Sequence, residues 1–462
     1  MIQFGSRQLL AIVGFVLAIS LGASERLAAQ TTGGNGLSGV AIDAEGVMSR
    51  QVFRDPTGQL HRQRMAQARA ALEGDVARPS DLRKVSLTRL EKAIQKQVEA
   101  GRAPTDAMQH LAGLTRIQYV FCYPETGDIV VAGPAEGWME NLAGRIVGID
   151  SGRPTLLLED MVVALRAFPP SGKQAGTVFC SIDPTPEGLA RMQQFLLQMG
   201  GRATPRQTQF IVDGLRSSLG AQVISIGGVS PNTHFAQVMV EADYRMKLIG
   251  IGLEQPPVKM TSYVERASAS SVARNALQRW YFVPNYKSVR VSADGQAMEV
   301  VGDGVKLVGE NELVGADGRR QASGQVDRAS HLFTESFTKN YADLAKVAPV
   351  YAQLRNLIDM LVATAYIQKY GLYGKAGWSM DWLGSEANYP VETAAAPKQV
   401  ASAVNSIWKG NRLMTPIGGG VEIRPALALH SENLITDDEG RVEKAQAAND
   451  LSQLPADRWW WD

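Results

Sequence analysis

Residues 117–201 constrain the fold most, because strand, turn and helix signals follow one another there without a long unstructured gap. Residues 117–122 and 129–132 are apolar runs, and the sequence Pro124-Glu-Thr-Gly-Asp between them is typical of a turn. Two apolar runs separated by turn residues predict a β-hairpin with a longer loop. We therefore expect this hairpin to begin a mixed sheet that extends from Ile117 to about Val240.

A second part of the same stretch predicts a strand that leads directly into a helix. Residues 177–182 are mostly apolar, and the helix expected over residues 187–199 has apolar side chains at helical spacing. Thr185 is suited to cap this helix, and Pro186 is suited to its first turn. Strands that alternate with helices in this way predict an α+β fold, with a mixed sheet flanked by helices.

The pattern of secondary-structure signals changes at Pro256-Pro257, because two consecutive prolines interrupt regular structure. Before this break, residues 235–240 predict a strand and residues 241–251 a helix. After it, turn residues separate four short apolar runs, which predicts an antiparallel β-meander, and two amphipathic segments predict a helical pair. The runs are residues 280–283, 288–291, 298–301 and 305–308, and the helices are residues 330–344 and 349–370.

These signals divide the chain into successive regions, with a boundary near Pro256. We expect a signal peptide, a lead-in with a short hairpin and a polar helix, an α+β domain, the β-meander, the helical pair sharing the core, and an irregular C-terminal region. In the same order, these regions cover residues 1–29, 30–80, 81–255, 256–325, 326–374 and 375–462.

The first residues have the composition of a secretory signal peptide. Arg7 supplies a positive charge, residues 9–23 are apolar, and Ala28-Ala29 suits cleavage before Gln30. The apolar run is shorter than a membrane span, and charged residues interrupt the most apolar later helix. We therefore expect an extracytoplasmic protein, periplasmic or secreted, with no membrane span after cleavage. Cleavage after Ser24 and an uncleaved N-terminal anchor are the alternatives.

The overall charge and the scattered histidines argue against several classes of function. A net charge of +1 gives no general attraction for nucleic acid. The sequence has no dinucleotide fingerprint, P-loop or G-x-S-x-G motif, so we expect no cofactor. No two histidines have the spacing of a metal site, so we expect no metal. The histidines are His61, His110, His234, His331 and His430.

Both cysteines lie at the end of expected strands. Cys122 and Cys180 each follow a Val-Phe pair, so neighbouring strands would place the two thiols side by side. An oxidising compartment would then permit a disulfide. Two buried free thiols are the alternative, and both interpretations stay open at this point. A nucleophilic cysteine would need a helix N-terminus or a cation to lower its pKa.

Carboxylates near expected strand ends and helix starts are the candidates for catalysis. They are Asp160, Asp183 and Asp243. If the fold gathered them, a pair of carboxylates would support general acid–base hydrolysis. Each also has a structural explanation, because aspartate favours turns and the first turn of a helix.

Two groups of aromatic residues are candidates for binding. Tyr370 and Tyr373 precede Trp378 and Trp382, and the last residues of the sequence include Trp459, Trp460 and Trp461. Amphipathic rings can stack on sugars or dock on a protein or envelope partner. Small clusters of this kind also occur as parts of a core. Exposed tryptophans are costly in water, so we expect this chain, another chain or an envelope surface to bury them.

Several strings carry a resemblance to a known family. They are Arg116-Ile-Gln-Tyr-Val-Phe, Tyr123-Pro-Glu-Thr-Gly-Asp-Ile, Ala132-Gly-Pro-Ala-Glu-Gly-Trp, Ser181-Ile-Asp-Pro-Thr-Pro-Glu-Gly-Leu, Ala242-Asp-Tyr-Arg-Met-Lys and Pro349-Val-Tyr-Ala-Gln-Leu-Arg-Asn-Leu-Ile-Asp. With them the chain resembles, over roughly residues 42–378, a family of exported planctomycete proteins catalogued only as a domain of unknown function. The resemblance implies a bacterial source and an extracytoplasmic location. It implies no activity and no catalytic residue.

Taken together, these observations favour a non-enzymatic exported protein that binds a ligand or helps to assemble the cell envelope. The aromatic residues would then provide the surface for a partner. An exported hydrolase that uses clustered carboxylates is the alternative. A concave pocket with converging ionisable groups would favour the hydrolase, whereas an exposed aromatic patch would favour the binding protein.

Overall fold

The structure is a computed structural model. It describes residues 37–72, 74–200, 204–267, 276–285, 287–314, 320–322, 328–409, 412–414, 420–449, 451 and 454–462. The signal peptide expected over residues 1–29 lies outside the described residues, and so does the first part of the lead-in.

Strands and helices are interspersed along the chain. The strands are β1 Leu37–Ile42, β2 Val47–Phe53, β3 Ser80–Ser86, β4 Tyr119–Tyr123, β5 Asp128–Ala135, β6 Trp138–Glu140, β7 Ile146–Gly148, β8 Val178–Asp183, β9 Ala221–Gly227, β10 Ala276–Pro284, β11 Val289–Val291, β12 Ala297–Val300, β13 Val305–Val314, β14 Arg320–Ala322, β15 Gln399–Ala401, β16 Ile407–Lys409, β17 Arg412–Met414, β18 Gly420–Ile423, β19 Leu434–Ile435 and β20 Trp460–Trp461. The α-helices are α1 Gln59–Ala71, α2 Leu87–Glu99, α3 Asp106–Gln109, α4 Leu158–Ala167, α5 Pro186–Gln198, α6 Thr208–Leu219, α7 His234–Gly250, α8 Tyr263–Arg266, α9 Arg328–Lys339, α10 Tyr341–Val347, α11 Pro349–Lys369, α12 Leu372–Lys375, α13 Pro425–Ala428 and α14 Arg441–Ala447.

Most of these strands belong to two sheets. The nine-stranded sheet has the order β1-β2-β15-β9-β8-β18-β10-β13-β14, and the seven-stranded sheet has the order β19-β11-β12-β4-β5-β3-β20. The larger sheet is mixed, because β10 and β18 are parallel whereas β8 is antiparallel to both of its neighbours. The predicted α+β class is therefore confirmed.

The hairpin and the strand–helix unit expected in residues 117–201 are also confirmed. β4 pairs with β5 in the register Cys122↔Ile129. At the start of α5, the Thr185 hydroxyl accepts a hydrogen bond from the backbone N–H of Gly188 at 3.0 Å, and Pro186 occupies the first helical position. Local turn and capping chemistry was sufficient for both predictions because each depends on neighbours in the sequence.

The prediction of a strand at residues 235–240 is wrong, because these residues lie inside the long helix α7. Nearly every side chain of this helix is buried, so its sequence has apolar residues on all sides instead of one apolar stripe. A continuous apolar run of this length has the same appearance in a buried strand and in a buried helix.

The four strands expected in the meander all exist, but they do not form a single sheet. β10 pairs with β13 in the nine-stranded sheet, whereas β11 and β12 pair with each other in the seven-stranded sheet. The sequence shows the turns between these strands but not their partners. Strands from both sides of Pro256 pair within each sheet, so the boundary expected there does not separate two sheets.

The expectation of an irregular region over residues 375–462 also needs correction. This region supplies β15 and β18 to the larger sheet and β19 and β20 to the smaller one. Each of these strands has two to four residues. A segment of that length shows no clear alternation of polar and apolar residues, and only its pairing with other strands makes it regular.

Helix α11 is the centre of the core. It packs against α4, α7 and α10, and one hydrophobic cluster contains side chains from these helices and from both sheets. This arrangement fixes α4 and α7 side by side. Within the described ranges, no helix combines the length and the apolar character that crossing a bilayer requires.

Candidate functional site

A cavity of about 450 Å³ lies where α4, α7 and α11 meet the turn between β6 and β7. This volume is in the range of sites that hold small molecules. The wall is rich in hydrogen-bonding groups: Gln109, His110, Arg145, Glu159, His234, Gln237, Glu241, Gln353, Tyr389 and Thr393. The structure thus has the concave, polar pocket that would favour an enzyme or a small-molecule binding protein.

One face of α7 forms a large part of this wall. His234, Gln237, Val238 and Glu241 all line the cavity, and their spacing of three and four residues places them on the same side of a helix. The Thr233 hydroxyl accepts a hydrogen bond from the backbone N–H of Ala236 at 3.2 Å, so the helix begins at His234. The polar spacing would have identified this face from the sequence if the segment had been assigned as a helix.

His234 is held by Asp160, which lies in the first turn of α4. Nδ1 of His234 lies 2.9 Å from Oδ2 and 3.1 Å from Oδ1 of Asp160. Because an ionised carboxylate only accepts hydrogen bonds, His234 donates through Nδ1. The other ring nitrogen, Nε2, makes none of these contacts, and 27% of the His234 side chain is exposed. A histidine oriented by a buried carboxylate is a common arrangement for moving protons.

The pKa values of His234 and Glu159 are both raised. Burial by itself lowers the pKa of His234, but the negative charges of Asp160 and Glu159 outweigh burial and raise it above 6.5. Burial, followed by the charge of Asp160, raises the pKa of Glu159 above 4.5. Glu159 is therefore a stronger base than an ordinary glutamate, and protonated His234 is stabilised.

A chain of alternating charges runs from the cavity wall to the protein surface. Arg145 pairs with Glu241 and also donates a hydrogen bond to Gln353. Glu241 lies 3.7 Å from Arg245, which pairs in turn with Glu254 at 2.7 Å. Glu254 then pairs with Arg50 at 2.9 Å. Because the first members are buried, these pairs fix the positions of Arg145 and Glu241 in the wall.

Residues 389–393 close another side of the cavity, and Arg166 holds the segment that leads to them. Arg166 donates to the backbone oxygens of Leu383, Ser385 and Tyr389, the last at 2.6 Å. It also pairs with Glu386, whose Oε1 accepts hydrogen bonds from the backbone N–H groups of residues 391 and 392. Burial raises the pKa of Tyr389 to about 12, so this ring presents a neutral hydroxyl at neutral pH. The segment also lines a second cavity of about 350 Å³.

His110 offers a further polar atom in the wall. Its Nδ1 is buried and has no hydrogen-bond partner among the described residues. Burial lowers the pKa of His110, so its ring is neutral near neutral pH. The backbone after it is strained, because Leu111 and Ala112 have φ values of 46° and 52°. Arg83 holds this turn by donating a hydrogen bond to the Ala112 carbonyl at 2.7 Å.

Of the three carboxylates considered from the sequence, only Asp160 takes part in this site. Asp243 lies nine positions after His234, which places it on the opposite side of α7. It forms a buried ion pair with Lys247 at 3.1 Å, and burial raises its pKa to about 6. Asp183 lies 3.8 Å from Arg279. The three aspartates therefore do not meet in one site, because α7 places Asp243 on the side away from Asp160. Asp183 lies on that side too, since its charge, after burial, helps to raise the pKa of Asp243.

The two cysteines lie on strands of different sheets. Cys122 is on β4 in the smaller sheet, Cys180 is on β8 in the larger sheet, and both are free and buried. The interpretation that neighbouring strands bring them together is corrected, since the pattern that suggested it does not identify which strands pair. Burial raises the pKa of both thiols, which is the opposite of what a nucleophilic cysteine needs.

The aromatic candidates are covered by this chain. Trp378 is buried and donates a hydrogen bond to Glu91, and Trp382 is half-buried, with its backbone N–H also bound to Glu91 at 2.9 Å. Trp459 and Trp460 are buried and Trp461 is half-buried, because β20 extends the smaller sheet alongside β3. The expected exposed aromatic surface for an envelope partner is therefore not formed by these residues. The positions of these tryptophans in the sequence do not indicate whether the same chain or another molecule buries them.

No group of three or more histidine, cysteine, aspartate or glutamate side chains in the described part of the chain is arranged to hold a metal ion.

No curated protein and no solved structure matches this chain. Two of the strings that carried the resemblance, at Ser181 and Ala242, lie within residues 180–263. These residues, which run from β8 to the start of α8 and include the cavity face of α7, match the family described as a protein of unknown function (DUF1598).

Proposed function

We propose that this protein is an exported enzyme that binds a small polar molecule in the α7 cavity and hydrolyses it by general acid–base catalysis. The observation that carries the proposal is that His234, held by Asp160, and Glu159 both lie in the wall of a cavity of suitable size. Export is supported by the signal-peptide composition of residues 1–29. A docking role for the tryptophans loses its support because this chain buries most of them.

The chemistry follows from the two raised pKa values. In the reacting state, ionised Glu159 takes a proton from a water molecule, while protonated His234 gives a proton to the leaving group. The water oxygen forms the new bond as the bond to the leaving group breaks, and solvent then returns both side chains to their starting states. Asp160 positions the imidazole ring and stabilises its charge.

The remaining wall indicates the class of substrate. Gln109, Gln237 and Gln353 present amide groups, and Tyr389 presents a neutral hydroxyl. Arg145 is already neutralised by Glu241. Neutral donors and acceptors around paired charges suit a neutral molecule with several hydroxyl or amide groups better than a phosphate or a multiply charged anion.

Replacing His234 by glutamine should reduce the rate of hydrolysis by about 100-fold or more, because the general acid is lost. The measurement is a screen of the wild-type protein against chromogenic esters, amides and glycosides, followed by kinetics of H234Q on the substrate that is turned over. His430→Gln is the matched control, since its exposed side chain lies outside the cavity. Full activity in H234Q would overturn the proposal.

A compound that stabilises the wild-type protein against heat without turnover would instead support the second candidate, a non-enzymatic binding protein that uses the same polar wall.

The pH dependence gives an independent prediction. We expect a bell-shaped profile of kcat/KM whose acidic limb lies above pH 4.5 and whose alkaline limb lies above pH 6.5, because both pKa values are raised. Asp160→Asn removes the charge that raises both values, so both limbs should move to lower pH. NMR titration of the His234 ring measures the same change without a substrate.

Asp183→Asn is the control for this experiment, because Asp183 lies outside the cavity wall and should leave both limbs in place. An unchanged His234 pKa in D160N would show that Asp160 does not set the protonation of the imidazole, and the acid–base assignment would then fail.

A further inference from the structure

Helices α5 and α6 form an antiparallel hairpin with a small hydrophobic core of its own. The start of α5 lies against the end of α6, since a Cβ atom added at Gly188 would come within 2.3 Å of the Leu219 carbonyl. At the connecting end, the Phe195 ring lies across Gly214 and stands 6.0 Å from the ring of Phe210. The two helices pack mainly on each other, so this connecting end projects from the larger core.

The connecting end of this hairpin exposes large apolar side chains. Leu197, near the end of α5, is 75% exposed, and Phe210, near the start of α6, is 61% exposed. Phe195, Leu196 and Met199 are partly exposed beside them. These five residues are here called the apolar tip. Single exposed apolar residues are ordinary, but a cluster of Leu, Phe and Met at one end of a hairpin marks a surface that binds something apolar.

The charge around the apolar tip is positive. Residues 195–210, which include the apolar tip and the residues that connect α5 to α6, contain Arg202 and Arg206 but no acidic residue. Arg206 lies in the short 3-10 helix immediately before α6, on the side of the apolar tip, and is exposed. Apolar side chains accompanied by arginines are the combination that inserts into the headgroup region of an anionic bilayer.

We propose that the apolar tip docks this protein on an anionic lipid surface, with Leu197 and Phe210 inserted among the acyl chains and Arg206 at the headgroups. A projecting tip with few large residues suits a deformable lipid surface. A protein partner fits this tip less well, because a stable protein–protein interface needs roughly 800 Å² of surface from each side. The proposal is separate from the cavity and does not rest on the hydrolase assignment. Together with the export proposed above, it places the chain peripherally at the envelope.

The test is co-sedimentation with vesicles of phosphatidylcholine alone and of equal parts phosphatidylcholine and phosphatidylglycerol. The chain is used without residues 1–29, because their apolar run would bind vesicles by itself. We expect binding to the anionic vesicles, weakened by added salt. The double variant L197S/F210S should lower the affinity by about tenfold or more, and R206Q by about fivefold on anionic vesicles alone.

Val347→Ser is the matched control, because Val347 is 55% exposed at the end of α10 and lies outside the apolar tip. It should bind as the wild-type chain does. Equal binding to both kinds of vesicle, or unchanged binding of L197S/F210S, would overturn the proposal. So would a wild-type chain that self-associates through these residues in sedimentation equilibrium and does not bind vesicles, since the tip would then join two copies.

Discussion

Replacing Arg83 by alanine should lower the free energy of unfolding by about 3 to 5 kcal/mol. The guanidinium is fully buried, and all five of its N–H groups have acceptors. The acceptors are the backbone oxygens of Val76, Arg78 and Ala112 and both carboxylate oxygens of Asp462, at distances from 2.7 to 3.1 Å. Removing the side chain leaves these groups without donors.

Arg83 also connects β20 to the rest of the smaller sheet. Its guanidinium lies 4.7 Å from the ring centre of Trp460, and Arg458 covers the same ring at 4.2 Å. The variant should therefore loosen β20 and expose Trp460, and an unfolding curve in urea followed by tryptophan fluorescence measures both effects. The strained turn at Ala112 should loosen as well, which would move His110 in the cavity wall.

Arg78→Ala is the matched control for R83A. Arg78 is exposed and forms a short-range ion pair with Asp75, and such surface pairs contribute about 0 to 1 kcal/mol. A loss in R83A no larger than that in R78A would mean that the buried guanidinium does not anchor β20.

Replacing Glu241 by glutamine should also cost about 3 to 5 kcal/mol, for a different reason. Glu241 is buried between Arg145 and Arg245, and the neutral amide would leave two buried guanidinium groups without a shared carboxylate. Arg245 keeps Glu254 as a partner, so the larger effect should fall on Arg145. Because Arg145 lies in the cavity wall, ligand binding should weaken together with stability.

Glu140→Gln gives the comparison for E241Q. Glu140 pairs with Arg64 at 3.3 Å on the surface, where solvent screens the interaction. Thermal and urea unfolding of both variants measure the difference. If E241Q were no less stable than E140Q, the charge chain would be dispensable for the fold, and its role would be limited to the ligand.

The contrast between α5 and α7 explains why the sequence predicts one part of the fold correctly and another part wrongly. Helix α5 has a threonine cap and a proline in its first turn, and these signals depend only on adjacent residues. Helix α7 is buried on nearly all sides, so its apolar residues show no stripe and part of it resembled a strand. The histidine and glutamate of its cavity face were consequently not recognised as neighbours.

Long-range pairing limited the prediction of the site in the same way. His234 and Asp160 are 74 positions apart, and only the packing of α7 beside α4 brings them together. Asp160 was a candidate from its position near a helix start, whereas His234 was one of five scattered histidines with no distinguishing neighbour. Glu159 needed burial to raise its pKa, and burial is a property of the assembled core.

The amino-acid sequence alone was enough for the α+β class, the β4–β5 hairpin and the cap of α5, because these depend on interactions between nearby residues. Tertiary structure alone decided which sheet holds Cys122 and which holds Cys180, where β20 places its tryptophans, and which carboxylate faces His234. The physical reason is that strand pairing and helix packing join residues far apart in the chain. The free energies that select those pairs come from burial and charge compensation, which exist only in the assembled core.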